Sequence, residues 1–323
     1  SAGIRYELVS PPVDEKDQAS VYDPATKSLV NVGTSIPRSG YKADRNNVAP
    51  RLGIAWTPGK NADTTIRAGY GLYYDQSPLA PGEGLYFNAP FFNFNLFYSL
   101  PGLPVTLSDP FPENFLFPTP QSALTYQRDL QTPYFHHFNI GMQQQLGLSR
   151  MVDLTYSASR GRNLLASRDI NQPQPSPMPF NPRPMPLFDD ITAIESRATS
   201  AYNSLQFKMQ QRPHNGVSFL ASYTLSKSVD DSSGFFATSG DPNFPQDSFN
   251  LTAERGRSSF DIRHSFSLGF GYELPFGHEK TYLSNHGWAT TILGDWEVHG
   301  ILTLRSGRPF TVALLSEMDN SNT

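Results

Sequence analysis

The residues of this chain that could carry chemistry are its histidines, its clustered acids and its hydroxyl groups. His136 and His137 are the one adjacent histidine pair. Neighbouring residues of a strand point to opposite faces, so these two cannot chelate one metal from a regular strand. We find no nucleophile, base and orienting acid at a recognisable spacing, and no glycine-rich phosphate loop before a helix. The sequence therefore predicts no catalytic residue, no cofactor and no enzymatic activity.

Acidic residues are dense between Val229 and Asp261. A hard cation needs about 6–8 oxygens that converge on one point, and the spacing here matches no EF-hand or repeat-type calcium loop. We interpret the segment as a solvated loop and predict no metal site, which a calcium titration would test. The acids are Asp230, Asp231, Asp241, Asp247, Glu254 and Asp261.

Composition excludes several classes of protein. The formal net charge of −4 over 323 residues gives no case for a nucleic-acid partner. The absence of cysteine rules out a disulfide scaffold and thiolate metal sites. No run approaches the roughly 18 apolar residues of a membrane helix. A mean hydropathy of −0.42 is common in soluble proteins, but it also fits a transmembrane barrel, in which only every second strand residue faces lipid.

The clearest element that could position side chains is a strand from Ile262 to Leu274. Apolar and aromatic residues such as Phe266 and Tyr272 alternate there with small and polar ones such as Ser265 and Gly271. Soluble strands average about 5–6 residues, whereas a tilted strand needs about 9–11 to cross a bilayer. The length and the small, polar second face predict a wall between lipid and a wet lumen.

The same alternation recurs along the chain and predicts about nine strands with almost no helix. Short connections (58–63, 147–149, 213–216 and the longer 275–294) alternate with long ones (9–48, 76–131, 161–201 and 229–261). Tight periplasmic turns and long extracellular loops produce this pattern in outer-membrane barrels. We therefore predict an all-β, antiparallel, up-and-down transmembrane β-barrel segment. The other strands are expected around 5–8, 52–56, 64–75, 138–142, 152–156, 205–209, 217–225 and 296–304.

This direction of the strands assigns aromatic residues to the two membrane interfaces. Trp56, Tyr272 and Trp296 are expected at the periplasmic rim, and Tyr74, Tyr134 and Tyr223 near the outer rim. Aromatic belts favour a membrane barrel. Because β-rich proteins are rich in aromatics anyway, the belts are supporting evidence only.

Charged residues at alternate strand positions are expected to face the lumen. They could line a substrate path or hold a plug domain by salt bridges, and of these two we favour the plug. A wet interior also needs charges of both signs for solvation alone. These positions are Arg67, Asp153, Lys208, Arg212, Arg263, Glu273, Glu297, His299 and Arg305.

The long loop 76–131 is unusually rich in aromatic rings. Water-exposed loops rarely carry so many, so we expect the rings to pack within the loop, on neighbouring loops or on a ligand. Internal packing is the favoured alternative. The candidate ligand contacts are Phe91, Phe92, Phe94, Phe97 and Tyr98.

Eight segments, in order, resemble the barrel of Oar-like TonB-dependent receptors. The resemblance implies a gram-negative outer-membrane protein whose barrel of about 22 strands closes around a plug that the TonB complex pulls. The segments are NVAPRLGIAWTPG (47–59), TTIRAGYGLYYD (64–75), TPYFHHFNIGMQQQLG (132–147), SRGRNLLASRDINQ (159–172), YNSLQFKMQQR (202–212), SFLASYTLSKSVDD (218–231), AERGRSSFDIRHSFSLGFGYELPFG (253–277) and LGDWEVHGILTLRSGRPFT (293–311).

We recognise no carboxypeptidase-regulatory-like domain, plug or TonB box in these residues. We therefore expect residues 1–323 to form one partial barrel, a middle segment of the receptor without a separate second domain. Its expected partners are outer-membrane lipid, the plug of the same receptor and, through the plug, the TonB complex. Two alternatives stay open: a passive outer-membrane channel, and a secreted soluble β-rich adhesin or glycan-binding protein.

Overall fold

A computed structural model describes residues 1–59, 63–75, 84–92, 106–108, 110, 120–174, 176–177, 181–234, 241, 243–278, 280–284 and 287–312. Within these ranges no helix has the length and apolar character needed to span a membrane. The helical elements are a 3-10 helix, η1 (Gly84–Phe87), and a six-residue α-helix, α1 (Trp288–Leu293). The strands are β1 (Ala2–Tyr6), β2 (Ser20–Asp23), β3 (Ser28–Asn31), β4 (Val48–Trp56), β5 (Thr64–Tyr74), β6 (Gln121–Tyr126), β7 (Tyr134–Leu146), β8 (Arg150–Asp169), β9 (Phe188–His214), β10 (Val217–Asp230), β11 (Gly256–Arg257), β12 (His264–Glu273) and β13 (Glu297–Arg305).

Nine of these strands form one antiparallel meander in the order β1-β4-β5-β7-β8-β9-β10-β12-β13. The strands of this series follow one another along the chain, with only β2, β3, β6 and β11 between them, and all eight pairings are antiparallel. The predicted all-β, up-and-down architecture with about nine strands is confirmed. The three tight connections, β4–β5, β7–β8 and β9–β10, lie at one end of the sheet together with the longer β12–β13 connection, and the remaining connections lie at the other end.

Local turn chemistry explains the tight end. Asn215 and Gly216 connect β9 to β10, and both have positive φ, 52° and 75°. A two-residue hairpin loop of this kind requires positive φ at both positions, which Asn-Gly tolerates best. This turn sets the register with which β10 follows β9.

The strand bounds differ from the sequence prediction: β4, β7, β8, β9 and β10 are longer than predicted. The opening strand is Ala2–Tyr6 instead of residues 5–8. The strand predicted from Ile262 to Leu274 is ten residues long, His264–Glu273. Ile262 and Arg263 still accept hydrogen bonds from Ser226 through their carbonyl groups, at 2.7 and 3.0 Å. The alternating sequence therefore extends beyond the residues that form regular ladder pairs. The ten residues of β12 are enough to cross a bilayer.

A second layer, which the sequence reading treated as loop, lies at the end with the long connections. β8 and β9, at 20 and 27 residues, exceed the length needed to cross a bilayer. Beyond a register irregularity between Gly161 and Leu165 they continue as a pair, and β6 adds to β9 in parallel. The hairpin of β2 and β3 completes this layer.

The hydrophobic core of the protein lies in this second layer, which we call the outer layer. Val21 and Ile194 are fully buried in it. Burial in the same cluster raises the pKa of Tyr126 far above its usual value. The other buried members are Ala19, Val32, Ile36, Tyr41, Leu85, Leu124, Leu130 and Leu165.

Candidate functional site

The nine-stranded sheet has one apolar face. Residues directly opposite in adjacent antiparallel strands point to the same side, so the register defines rows that cross the sheet. Ile54 is 69% exposed, Ile140 56% and Leu304 57%, so this face packs against nothing in the described structure. One of its rows reads Trp56, Ile66, Met142, Leu154, Phe207, Tyr223, Phe266 and Leu304.

The opposite face, here called the polar face, carries small and hydrophilic residues. One row contains Ala55, Arg67, Gly141, Thr155, Gln206, Thr224, Ser265 and Arg305. The next row contains Thr65, Gln143, Asp153, Lys208, Ser222, Ser267 and Thr303. An apolar face this wide and this exposed suits contact with lipid, and the polar face behind it suits a wet lumen.

The register brings the predicted lumen charges onto the polar face, but few of them pair. Arg67 donates to Oε1 of Gln143 at 2.7 Å. Asp153 lies directly opposite Lys208 in the ladder, yet its carboxylate accepts from the hydroxyl of Thr155 at 2.8 Å and forms no ion pair. Among the residues described, Lys208, Arg212, Arg263 and Arg305 also lack an ion pair. The polar face therefore presents several uncompensated cations.

Two carboxylates at the end of the sheet with tight turns do have partners. Glu273 accepts from Nζ of Lys280 at 2.6 Å, and this hydrogen bond raises the pKa of Lys280. Glu297 lies 3.0 Å from Nε2 of His299. An open hollow of about 780 Å³ brings His299 and Arg212 together on the polar face. Its wall includes Gln210, Leu220, Gly271 and Ile301.

A smaller cavity, of about 440 Å³, lies on the polar face at the end with long connections. Its wall combines apolar side chains with Asp230, whose carboxylate is almost fully buried and accepts from the hydroxyl of Ser233 at 3.0 Å. Asp230 is predicted from the sequence to lie in a solvated loop, but it is the last residue of β10, because the strand continues beyond the alternating residues 217–225. The apolar part of the wall consists of Phe135, Leu164, Leu165 and Phe260.

The predicted interface aromatics lie on the sheet as follows. Tyr74 and Tyr134 are ladder partners at the end with long connections, with ring centroids 5.7 Å apart. At the other end Trp56 and Trp296 are each 59% exposed, and Tyr272 is close to the end of β12. Tyr223 is nearer the middle of β10, and its hydroxyl lies 2.7 Å from Nδ1 of His264, the first residue of β12. Their depth in a membrane stays a prediction.

The predicted aromatic ligand contacts fall only partly within the described structure. Phe91 and Phe92 are each 40% exposed, and the ring of Phe92 meets that of Phe87 edge-on at 5.2 Å. This contact within one short segment accords with internal packing. Phe94, Phe97 and Tyr98 lie outside the described residues.

The two adjacent histidines do point to opposite faces. His136 lies on the apolar face, with Nδ1 2.8 Å from the hydroxyl of Tyr70. His137 lies on the polar face, with its ring 5.3 Å from that of Tyr73. Within the described ranges the structure contains no group of three or more histidine, aspartate or glutamate side chains that could hold a metal ion.

The outer layer contains a charge cluster that the sequence does not predict, in which Arg183, Asp169 and Asp190 are largely buried and Asp189 is half exposed. The Arg183 guanidinium reaches the carboxylates of Asp169 at 2.7 Å, Asp189 at 3.0 Å and Asp190 at 2.6 Å. Asp169 also accepts from the backbone N–H of Ile191 at 2.9 Å. The cluster ties the end of β8 and the start of β9 to the connection between them.

Burial shifts the pKa values of the charged groups in this cluster. Burial and the neighbouring Asp169 carboxylate raise the pKa of Asp190 to about 6, although Arg183 acts in the opposite direction. Burial also opposes the charge on Arg183, but Asp190, Asp169 and Asp189 outweigh it and raise the Arg183 pKa. The cluster holds a loop in place and shows no arrangement for bond-making chemistry.

Comparisons with known proteins found one matching family and several similar structures. The outer membrane beta barrel domain family matches residues 1–323. The fold is similar to the outer membrane transporter YddB from Escherichia coli, at 14% identity and a TM-score of 0.46, with 71% of this chain and 27% of that chain covered. The FrpB iron transporter from Neisseria meningitidis follows at 12% identity and a TM-score of 0.39, with 72% and 25% covered. The siderophore receptor PirA from Acinetobacter baumannii matches at 12% identity and a TM-score of 0.41, with 83% and 34% covered.

The chain thus spans about a quarter of the length of the first of these structures. No curated protein matches its sequence. The family match covers the whole chain, and the exposed apolar face of the nine-stranded meander explains it physically. The chain belongs to the outer membrane beta barrel domain family and resides in the outer membrane of a gram-negative bacterium.

Proposed function

We propose that the chain forms part of the barrel wall of a TonB-dependent receptor, of the Oar-like type, that takes part in energised uptake or in surface interaction. The observation that carries the proposal is the polar face, where Lys208, Arg212, Arg263 and Arg305 lack an ion pair among the described residues. A lumen filled only with water does not need this excess of cations on one side. A folded plug with acidic groups would use them.

The unpaired edges of the sheet support the proposal that the barrel contains more strands than these nine. In the described structure the series of strands ends at β1 on one side and β13 on the other, and these two do not pair. An open strand edge is not tolerated in the hydrocarbon region, because its N–H and C=O groups have no partner. Nine strands are also well short of the 22 strands of outer-membrane transporters that hold a plug.

We assign residues 1–323 to one barrel segment, with the outer layer as its extracellular part. β8 and β9 run without interruption from the sheet into that layer, so the two parts share strands. In this proposal lipid covers the apolar face and a plug of the same receptor fills the lumen. The TonB complex acts through that plug. The segment performs no catalysis.

The substrate is proposed to enter past the outer layer. The 440 Å³ cavity beside Asp230 lies at this end of the polar face and combines a buried carboxylate with phenylalanine and leucine side chains. Peptides, glycans, metal chelates and exported proteins all remain candidate substrates. Two siderophore or iron proteins among the structural neighbours make iron chelates a sensible first panel.

Uptake measurements on a deletion strain test this proposal. Labelled iron chelates, peptides and oligosaccharides are supplied to wild-type cells, to cells lacking the gene and to cells in which TonB is inactivated. We expect at least one substrate whose uptake needs both the gene and TonB. Uptake that needs the gene but persists without TonB identifies a passive channel. Recovery of the protein in the culture medium identifies a secreted adhesin or glycan binder.

A further inference from the structure

Four basic residues cluster on the apolar face where the sheet passes into the outer layer. The cluster comprises Arg160 and Arg162 on β8, Lys227 on β10 and Arg257 on β11. The ladder register shows that all four residues lie on the apolar face of the sheet. Arg160 is opposite His136 and Ala201 in one row, and that row continues through Val229 to Arg257. Arg162 is opposite Tyr134, and Lys227 is opposite Asn203.

The four positions lie within reach of one bulky headgroup. Neighbouring strands are about 4.8 Å apart, so three strand spacings from Arg160 on β8 to Arg257 on β11 amount to about 14 Å. Arg162 lies two residues further along the same strand face, or about 7 Å. Side chains of arginine and lysine span much of the remaining distance.

These cations are not neutralised by the protein. In the part of the chain that the structure describes, none of the four forms an ion pair. Other arginines of this region do: Arg255 binds Asp231 at 2.7 Å and Arg168 binds Glu195 at 2.9 Å. The rows that carry the four cations contain no acidic residue. The cluster thus offers net positive charge to whatever surrounds the barrel.

Arg160 is held in a fixed orientation. Its Nη1 donates to the carbonyl groups of Ser159 and Tyr202, both at 2.8 Å, and its Nη2 donates to Oδ1 of Asn203 at 2.8 Å. The guanidinium also lies 5.8 Å from the centroid of the Phe138 ring. A guanidinium has five N–H donors, so donors remain for a ligand and little side-chain entropy is lost when one binds.

The depth of the cluster points to the kind of ligand. The apolar face of β8 below Arg160 carries Val152, Leu154, Tyr156 and Ala158, which belong to the band that faces hydrocarbon. The cations therefore border the hydrocarbon, on the side of the extracellular layer. At that level the neighbouring molecules are lipid headgroups of the outer leaflet, and arginine binds the phosphate of a headgroup with bidentate geometry.

We propose that Arg160, Arg162, Lys227 and Arg257 form a binding site for the phosphorylated headgroup of a glycolipid in the outer leaflet. Arg160 supplies the oriented donors, and the three exposed cations surround the phosphate groups. The inference depends on the outer-membrane location and not on the proposed transport function. A receptor, a passive channel and a barrel of any other purpose would all carry it.

The test uses the protein purified from outer membranes and reconstituted in phosphatidylcholine nanodiscs. One set of discs contains diphosphoryl lipid A as a minor component, and the second contains the same lipid after removal of its phosphates. Bound glycolipid is counted by native mass spectrometry. We expect retention of the phosphorylated form and little retention of the dephosphorylated form.

Variants separate the cluster from general electrostatics. A basic residue near an anionic membrane surface contributes about 1 kcal/mol, so Lys227→Gln and Arg257→Gln should each weaken retention about fivefold. Both side chains are exposed, and no described contact is lost. Arg160→Gln should weaken it more, because the oriented donors are removed. Lys208→Gln makes the same charge change as Lys227→Gln on the polar face, and it should leave glycolipid retention unchanged.

Three results would overturn the inference. Equal retention of both lipid forms would show that phosphate is not recognised. An equal loss with Lys208→Gln would mean that net charge alone is responsible. Displacement of the glycolipid by millimolar inorganic phosphate would assign the site to a free anion instead of a headgroup.

Discussion

Arg150 and Arg160 lie on the same face of β8, and only Val152, Leu154, Tyr156 and Ala158 share that face between them. Ten residues at about 3.4 Å each span about 34 Å along the strand, and a tilt of about 40° reduces this to about 26 Å of height. The apolar band of an outer-membrane barrel is about 25 Å tall. We therefore expect the two arginines to mark the two edges of the hydrocarbon region. Arg150 also donates from Nε to Oε1 of Gln211 at 2.8 Å.

A charge introduced in the middle of this band should destabilise the barrel, whereas the same charge on the polar face should not. Phe207 and Gln206 are neighbours on β9 near the middle of the band and point to opposite faces. We expect Phe207→Arg to cost about 2–4 kcal/mol of unfolding free energy in a bilayer and Gln206→Arg less than about 1 kcal/mol. Denaturant unfolding in lipid vesicles measures both. A larger loss with Gln206→Arg would reverse the assignment of the faces.

The outer layer should depend on its own hydrophobic core. Ile194 is fully buried in that core, so Ile194→Ala should destabilise the layer by about 2–5 kcal/mol. Leu187→Ala, at a position that is 84% exposed, should change it by less than about 0.5 kcal/mol. Hydrogen exchange of residues 188–196 reports the change, with the amides of β12 as an internal reference. Unchanged protection in Ile194→Ala would show that the layer draws its stability from elsewhere.

Loss of Arg183 should release the connection between β8 and β9. Arg183→Gln leaves the carboxylates of Asp169, Asp189 and Asp190 facing each other without a cation, and breaking a buried ion pair costs about 3–5 kcal/mol. Hydrogen exchange and limited proteolysis near residues 181–191 measure the release.

The matched control for this variant is Arg38→Gln. The Arg38–Asp17 pair is partly exposed, and Arg38 also donates to the carbonyl groups of Asp14 and Glu15, so its loss should cost less, about 1–2 kcal/mol. Equal effects of the two substitutions would contradict a structural role for the buried cluster.

The same cluster predicts a pH dependence. Because the folded protein raises the Asp190 pKa from 3.8 to about 6, the folded state retains a proton that the unfolded chain releases. The Asp190 contribution to stability is therefore present below about pH 4 and is lost as the pH rises to about 6. The groups that face Asp190 are Asp169, Asp189 and Arg183.

Local hydrogen exchange near Asp190, followed between about pH 4 and pH 7, should show this loss of stability. Asp190→Asn should remove the Asp190 part of the pH dependence. If the variant keeps the wild-type pH profile, or if local stability rises with pH because of Asp190, the assignment is wrong.

The parts of the fold that the sequence revealed are those governed by a period of two. Alternation alone separated Phe266 from Ser265 and Leu154 from Thr155, and the structure places each pair on opposite faces. Alternating connection length also predicted the meander, because consecutive antiparallel strands need only short turns at one end.

The outer layer was missed because its pairings are not local. β6 joins β9 in parallel across more than 60 residues of chain, and a six-residue strand has too little periodicity to be recognised. The first part of β9, from Phe188 to Arg197, contains several charged residues and reads as loop. Its burial depends on β2, β3 and β6, which the sequence does not bring together.

Only part of the candidate site was predictable from the sequence. The period placed Arg67, Asp153 and Lys208 on one face, but only the register shows that Asp153 and Lys208 are direct neighbours. Register is set by turns and by burial over the whole sheet, not by any one strand. The Arg183 cluster joins residues from β8, β9 and the connection between them, so no single motif contained it.

The most direct test of the account is a single-cysteine scan of β9, because the natural chain has no cysteine. Each residue from Leu205 to Met209 is replaced in turn in the outer-membrane protein, labelled with a nitroxide and examined by spin-label accessibility. Leu205, Phe207 and Met209 should contact lipid-soluble oxygen, and Gln206 and Lys208 should contact a water-soluble nickel complex. Accessibility that does not alternate with a period of two, or that alternates in the opposite phase, would contradict a wall with lipid on the apolar face and water on the polar face.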